Sequence, residues 1–333
     1  MGMPPIYFYL SPKNYPAVIP ELDALPSVHN GGGEHSWILQ TYLYLKQTGF
    51  PCQLVNEVPK EGIVIAVSNY LPLNLIPSRN QLVVAIVSDV ARHPFAQLHI
   101  VQNLQHTASQ NIPRTDRFFF PGKSVYIQHW SQPGLIQRDR NRGDRFENIA
   151  YVGRAHNLAA ELRTEDWEAE LRSMGLNWRT IADPEQWHDY SQIDAIVAIW
   201  SFDQQGHPSK PTSKLHNAWM AGVPAIVGQD SAFRQEWKSD LDYLKASSPA
   251  EVLTALKQLR DDSTFRQQMI DNGKLRSTEI DAPAVLKRWL EVLNNHVVPE
   301  YETWCQQSRL QRSVFLAGRS TGMKLKQASG TLK

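Results

Sequence analysis

The chain is expected to fold as two α/β domains, each built on a doubly wound, mainly parallel sheet. Three observations carry that expectation. Short runs dense in β-branched and aromatic residues alternate with amphipathic, helix-like segments. The alternation stops at a charged stretch containing Pro and Gly, then begins again. A length of 333 residues suits two domains better than one.

In the first half the strand-like runs are IYFYL (6–10), CQLV (52–55), GIVIAV (62–67), LVVAIV (82–87), LHIVQ (98–102), RFFF (117–120) and VYIQ (125–128). Their near-continuous hydrophobicity suits strands covered on both faces, as in a parallel sheet. Between the first two, EHSWILQTYLYLKQTG puts Ile38, Tyr42 and Leu45 on one helical face, and Gly49 supplies a stop. Residues 129–148, HWSQPGLIQRDRNRGDRFEN, show no periodicity and read as an interdomain linker. The second half restarts with IAYVG (149–153), a helix over 159–175, and the strands NWRTI (177–181) and IDAIVAIW (193–200). A helix from Thr212, the strand VPAIVG (223–228), and helices over roughly 250–260, 262–275 and 282–296 complete it. The expected organisation is a first domain over 1–128, a linker over 129–148, a second domain over 149–296, and a segment 297–333 that crosses back to the first domain.

With 42% apolar and 20% charged residues, the composition is that of an ordinary globular protein. A net charge of +1 supplies no global field for nucleic acid, which is not expected as a partner. Cys52 and Cys305 are too few and too distant for a disulfide framework or a zinc site, which suits a reducing, cytoplasmic setting. The N-terminal residues have no basic segment leading into a long apolar run, so a signal peptide is not expected. From Gln306 to Lys333 there are six basic residues (Arg309, Arg312, Arg319, Lys324, Lys326 and Lys333) and no acidic ones. That tail reads either as a solvated end or as a peripheral contact with an anionic membrane surface or a partner.

The chemistry concentrates in SKPTSKLHNAWMAGVPAIVGQDSAFRQE (209–236). Thr212 or Ser213 suits an N-cap, Leu215, Ala218, Trp219 and Gly222 share the packing face, and Lys214 and Asn217 share a more polar one. A helix start exposes amides and positive dipole, and Lys210 and Lys214 add cations suited to phosphate oxygens. The competing reading is a capped surface helix with solvated lysines.

Lys-Pro-Thr-Ser-Lys followed by Ala221-Gly222-Val223-Pro224-Ala225-Ile226 resembles the donor-binding segment of GT-B glycosyltransferases, in particular retaining enzymes of the family-four type. The resemblance implies two Rossmann-like domains facing a central cleft, an N-terminal acceptor domain and a C-terminal nucleotide-sugar domain. It implies a hexosyltransferase-type enzyme whose nucleotide-diphosphate sugar is a substrate, with no cofactor and no metal. The acceptor would be a carbohydrate, a lipid or a small molecule. The family's acidic pair is absent: Asn217 stands at the second glutamate and Ser209 near the first. Donor contacts would therefore come from Lys210, Pro211, Thr212, Ser213, Lys214 and Asn217, from Arg154 after the first strand of the second domain, and from Glu236 beyond the next strand. The loops at Thr180–Asp183 and Ser201–Asp203 are expected to meet the nucleobase.

The second glycine signal, HNGGGEHSWILQTYLYL (29–45), lets backbone approach a bulky ligand at Gly31, Gly32 and Gly33. A similar glycine-rich loop faces the donor phosphates in the resembling family. Gly31-x-Gly33-x-x-Ser36 with Glu57 also partly matches a dinucleotide fingerprint, which leaves a nucleotide-sugar epimerase or nicotinamide oxidoreductase as an alternative, beside a non-catalytic sugar- or nucleotide-binding module. Asp89 and His93, with Arg92, follow LVVAIV at the strand end that faces the crevice, and they join Glu34 and His35 as candidates for acceptor binding or proton transfer. Asp240-Leu241-Asp242 imitates a metal-binding Asp-x-Asp but follows polar RQEWKS instead of closing a strand, so no metal is assigned to it.

Overall fold

A computed structural model of the chain describes residues 2–29, 31–108, 117, 120, 122–203 and 206–328. Phe118 and Phe119 of the expected RFFF strand, and Lys333 of the basic tail, lie outside them. The chain forms two compact units, one of Met1–His129 with Val285–Lys333 and one of Trp130–Ala284.

The first unit carries strands β1 (Ile6–Tyr9), β2 (Gln53–Val55), β3 (Gly62–Val67), β4 (Gln81–Val87), β5 (Leu98–Val101) and β6 (Lys123–Tyr126). They form one sheet in the order β2-β1-β3-β4-β5-β6, every pairing parallel. All residues of β3 and β4 are buried, which is why those runs read as unbroken hydrophobic stretches. The Ala282–Val292 helix packs Trp289 onto this core, edge-on to Phe8 at 6.0 Å and to Trp37 at 6.3 Å. Helices Val298–Gln306 and Arg309–Ala328 follow.

The second unit carries β7 (Asn148–Val152), β8 (Asn177–Ile181), β9 (Ala195–Ala198), β10 (Ala225–Val227) and β11 (Leu244–Lys245). Their order is β11-β10-β9-β7-β8, again all parallel. In both sheets the order reverses beside the first strand, between β1 and β3 and between β7 and β9. Loops leaving the C-terminal ends of those strands diverge to opposite faces, which opens a ligand crevice at that point.

Of the stretch 129–148, expected to be a linker, residues 130–148 belong to the second unit. The reason is a buried charge cluster. Arg142 grips both Asp194 oxygens at 2.8 and 2.9 Å, and Arg138 Nε donates to Asp194 Oδ1 at 2.9 Å. The backbone amides of Glu147 and Asn148 donate to Asp194 Oδ2 at 3.0 and 2.9 Å. Burial alone would raise the Asp194 carboxyl; these donors, Arg142 foremost, hold it below its ordinary value.

Candidate functional site

The Ser213–Ala221 helix is positioned from its far end. Gly222 adopts φ 72, the left-handed conformation that favours glycine, and its amide donates to Trp219 O at 3.2 Å while Val223 N donates to Ala218 O at 3.0 Å. Leu215, Ala218 and Trp219 are buried against the sheet, as their spacing predicts. Trp219 Nε1 donates to Asp242 O at 2.9 Å, and Gly273 of the Ser263–Ser277 helix leaves room for its indole: a Cβ there would stand 3.0 Å from Trp219 Cδ1. The start of the helix reaches the β7/β9 reversal through Lys214, which lies over Tyr151 of β7 and Trp200 just after β9.

Thr212 occupies the N-cap position, but its hydroxyl does not cap. It is wholly buried and lies 3.5 Å from His216 Nδ1. Ser213 opens the helix and Pro211 precedes the cap, both half-buried. The first-turn amides therefore have no side-chain cap from Thr212, which leaves the helix end suited to an anion.

Two lysines stand at this edge, and Arg154 opens the turn that one of them contacts. Lys210 Nζ donates to Asn157 Oδ1 at 3.3 Å, in the Ala155–Asn157 turn that directly follows Arg154. Lys214 Nζ lies 5.4 Å from the Tyr151 ring centroid and 5.6 Å from that of Trp200, one ring from the end of β7 and one just beyond β9. Gly153 makes this passage available. Its φ of 141 is strained for any other residue, and a Cβ there would lie 3.0 Å from Lys214 Cε and 3.2 Å from Nζ. Arg154 is exposed, with its guanidinium 5.9 Å from the Trp187 ring centroid. Trp187 is held by its own Nε1, which donates to Ile181 O at 3.0 Å. The aromatic cradle of Tyr151, Trp200 and Trp187 is not an evident motif in the sequence; the one available signal is an aromatic residue at or just after the end of two adjacent strands.

Two donor-side candidates have partners within the protein. Asn217 does not share an open polar face with Lys214: it is buried, and its Oδ1 accepts from Gln132 N at 3.1 Å, tying down the start of the second unit. Glu236 is held by buried neighbours, 3.4 Å from His216 Nε2 and 3.7 Å from Arg276 Nη2. Burial pushes its carboxyl up, but His216, then Gln235 and Arg276, outweigh that and leave it below its usual value. Both residues brace the helix. Asp242 likewise accepts from the amides of Lys238 and Ser239 (2.6 and 2.7 Å), from Asn272 and from Arg276, a structural knot instead of a metal ligand.

The loop after β9 adds a polar cluster. Ser201 Oγ donates to Asp203 Oδ1 at 2.5 Å, so at its 2.9 Å contact with His207 the imidazole Nε2 must be the donor. His207 has φ 39, the one left-handed non-glycine among the described residues, and its Nε2 is 3.7 Å from Asp230 Oδ1. Asp230 is buried and burial pushes its carboxyl up to about 7. A Cβ on Gly228 would stand 2.7 Å from Asp230 Oδ2.

In the first unit, Gly31 has φ 68 and its amide donates to His29 Nδ1 at 3.1 Å. His29 Nε2 therefore donates to Ser36 Oγ (3.0 Å), and Ser36 N and Oγ both donate back to Gly32 O, at 3.1 and 3.3 Å. Burial, then His35 and His129, push His29 down to about 4, so it braces the loop as a neutral ring. Gly33 has open space where a Cβ would be. The dinucleotide reading does not fit, because turns over Leu22–Val28 intervene between β1 and these glycines.

Glu34 is buried and accepts from Ser11 N (2.7 Å), Ser11 Oγ (2.6 Å) and Asn14 Nδ2 (2.5 Å). It holds the loop leaving β1 at the β1/β3 reversal. His93 is also a brace: Nε2 donates to Pro72 O at 3.0 Å, Nδ1 accepts from Phe95 N at 3.3 Å, and burial lowers its basicity. Both side chains are engaged by these protein partners. His35 is buried, and burial lowers its basicity as well. Arg92 is buried, with Nη2 donating to Ser124 Oγ at 2.6 Å. Asp89 alone of the catalytic candidates is exposed, just past β4.

Two doubly wound units of parallel strands place the chain in the GT-B fold class. Solved structures share it. Sucrose-phosphate synthase from Thermosynechococcus elongatus superposes with a TM-score of 0.52 at 12% identity, over 87% of this chain and 98% of its own. Anabaena HepE, solved in complex with UDP-glucose, gives 0.50 at 11% identity, over 87% of this chain and 99% of its own. At such identity the likeness establishes the fold. No protein-family model and no curated protein matches the chain.

Proposed function

We propose that the chain is a glycosyltransferase that moves a sugar from a nucleoside-diphosphate sugar to an acceptor hydroxyl, with retention and without a metal. The observation that carries this reading is the gathering of Lys210, Lys214 and the Gly153–Asn157 turn around the uncapped start of the Ser213–Ala221 helix. A doubly wound sheet binds ligands at that reversal, and a helix start with added cations favours phosphate. That a protein of the same fold was solved with UDP-glucose supports the choice of donor class.

As the bond between the anomeric carbon and the diphosphate breaks, negative charge grows on the leaving oxygens. Lys210, Lys214, Arg154 and the first-turn amides meet that charge where it develops, in the role a bound cation would otherwise fill. Two candidates for a general base, Glu34 and His93, are occupied as braces. The reading gives the acceptor proton to the departing phosphate oxygen, while the acceptor oxygen bonds the anomeric carbon on the same face. The first unit, with Asp89 and the glycine loop, is assigned to a carbohydrate, lipid or small-molecule acceptor, and two free cysteines suit a cytoplasmic setting.

A thermal-shift panel of UDP-, GDP- and ADP-sugars alongside NAD tests this. One matched donor should stabilise the protein by about 2.7 kcal/mol at a hundredfold excess over Kd, and should be slowly hydrolysed without acceptor. Stabilisation by NAD alone, or by none of the panel, would overturn the proposal.

A further inference from the structure

The Arg309–Ala328 helix of the first unit has two unlike faces. One is packed: Arg319 and Gly322 are buried, the Arg319 guanidinium lies 4.6 Å from the Phe315 ring centroid, and that ring meets Trp304 edge-on at 5.2 Å. The opposite face is open. Leu310 is 73% exposed, Val314 65% and Leu325 49%, with Ala317, Thr321 and Ala328 exposed between and beyond them. Steps of three and four residues put all of these on one narrow stripe. Over 20 residues the helix runs about 30 Å.

Along this helix the charge has one sign. Arg309 and Lys324 are exposed on it, and no acidic residue occurs between Gln306 and Lys333. An aliphatic stripe with a cationic margin is the pattern of a helix lying in the plane of a membrane interface. The middle of the stripe, Ala317 and Thr321, offers no large side chain to fill a protein groove, which favours a fluid surface over a shaped partner. Among the described residues no helix is long and apolar enough to cross a membrane.

We propose that this helix docks flat on an anionic lipid bilayer, with Leu310, Val314 and Leu325 entering the upper acyl region and Arg309 and Lys324 at the lipid phosphates. The proposal stands apart from the glycosyl-transfer reading, since it uses none of the donor-site residues.

The test is co-sedimentation of the full chain with phosphatidylcholine vesicles, with and without phosphatidylglycerol. Binding should require the anionic lipid and weaken with salt. Replacing Leu310, Val314 and Leu325 together by serine should cut partitioning on the order of tenfold or more. Arg309→Gln and Lys324→Gln should each cost about fivefold. Thermal melting of the variants should match the wild type, because the altered side chains are exposed. The proposal fails if the wild type ignores anionic vesicles, or if the serine variant binds them equally. It also fails if the wild type forms a lipid-free dimer that the serine variant abolishes, because a second copy would then cover the stripe.

Discussion

Gly153→Ala isolates the geometry of the proposed anion site without removing a charge. An added Cβ stands 3.0 Å from Lys214 Cε, 3.2 Å from Nζ and 3.2 Å from the Tyr151 hydroxyl, against ordinary contacts of about 3.5–4.0 Å. The buried tyrosine yields less readily than a lysine tip, so Lys214 must move by roughly half an ångström or more. A charge-assisted hydrogen bond to phosphate is worth about 1.5–3 kcal/mol, so losing it costs on the order of 10- to 150-fold in affinity. The φ of 141 adds backbone strain of about 1–3 kcal/mol, which lowers stability separately. Titration calorimetry with UDP on wild type, Gly153→Ala, Lys214→Ala and the double variant closes a cycle. The glycine acts through the lysine, so the double variant should bind as Lys214→Ala does, within about threefold. A folded Gly153→Ala protein with wild-type affinity would defeat this assignment, as would a double variant whose losses multiply.

Two further outcomes follow from buried carboxylates. Asp230 sits near 7 in the folded protein against an ordinary carboxyl value of 3.8. The folded state therefore holds its proton more tightly, and stability is lost as pH rises from about 4 through about 7. Asp230→Asn should raise stability at pH 8, by at most about 4 kcal/mol, and the gain should vanish below pH 4; a gain independent of pH in denaturant melts would contradict this. Glu34→Ala strands three donors on Ser11 and Asn14 and should cost about 2–4 kcal/mol of stability. Lost turnover with an unchanged melting temperature would instead return Glu34 to a catalytic role.

The elements of this fold that are set by local rules are legible in the sequence. β3 and β4 declare themselves because both faces are covered, and Gly222 marks its helix end because only a left-handed residue closes it there. Much of the candidate site depends on partners far apart in the chain, and it is less legible. Asn217 shares its polarity with a ligand contact, yet its partner is the amide of Gln132. Glu34 looks poised beside a glycine loop, but its donors lie on the segment after β1. His93 has a neutral role because Pro72 and Phe95 take its two nitrogens. Arg138 and Arg142 resemble solvated linker charge because Asp194, their counter-ion, arrives from beyond β8. β11, two residues long, is too short for periodicity to register.

Whether the cations at the start of the Ser213–Ala221 helix grip a diphosphate is decided by comparing UDP with UMP on wild type and on the Lys210→Ala/Lys214→Ala protein. A strong wild-type preference for UDP is expected, and it should collapse in the variant while UMP affinity stays nearly constant. Equal affinity for the two nucleotides in the wild type, or an undiminished preference in the variant, would rule the diphosphate grip out.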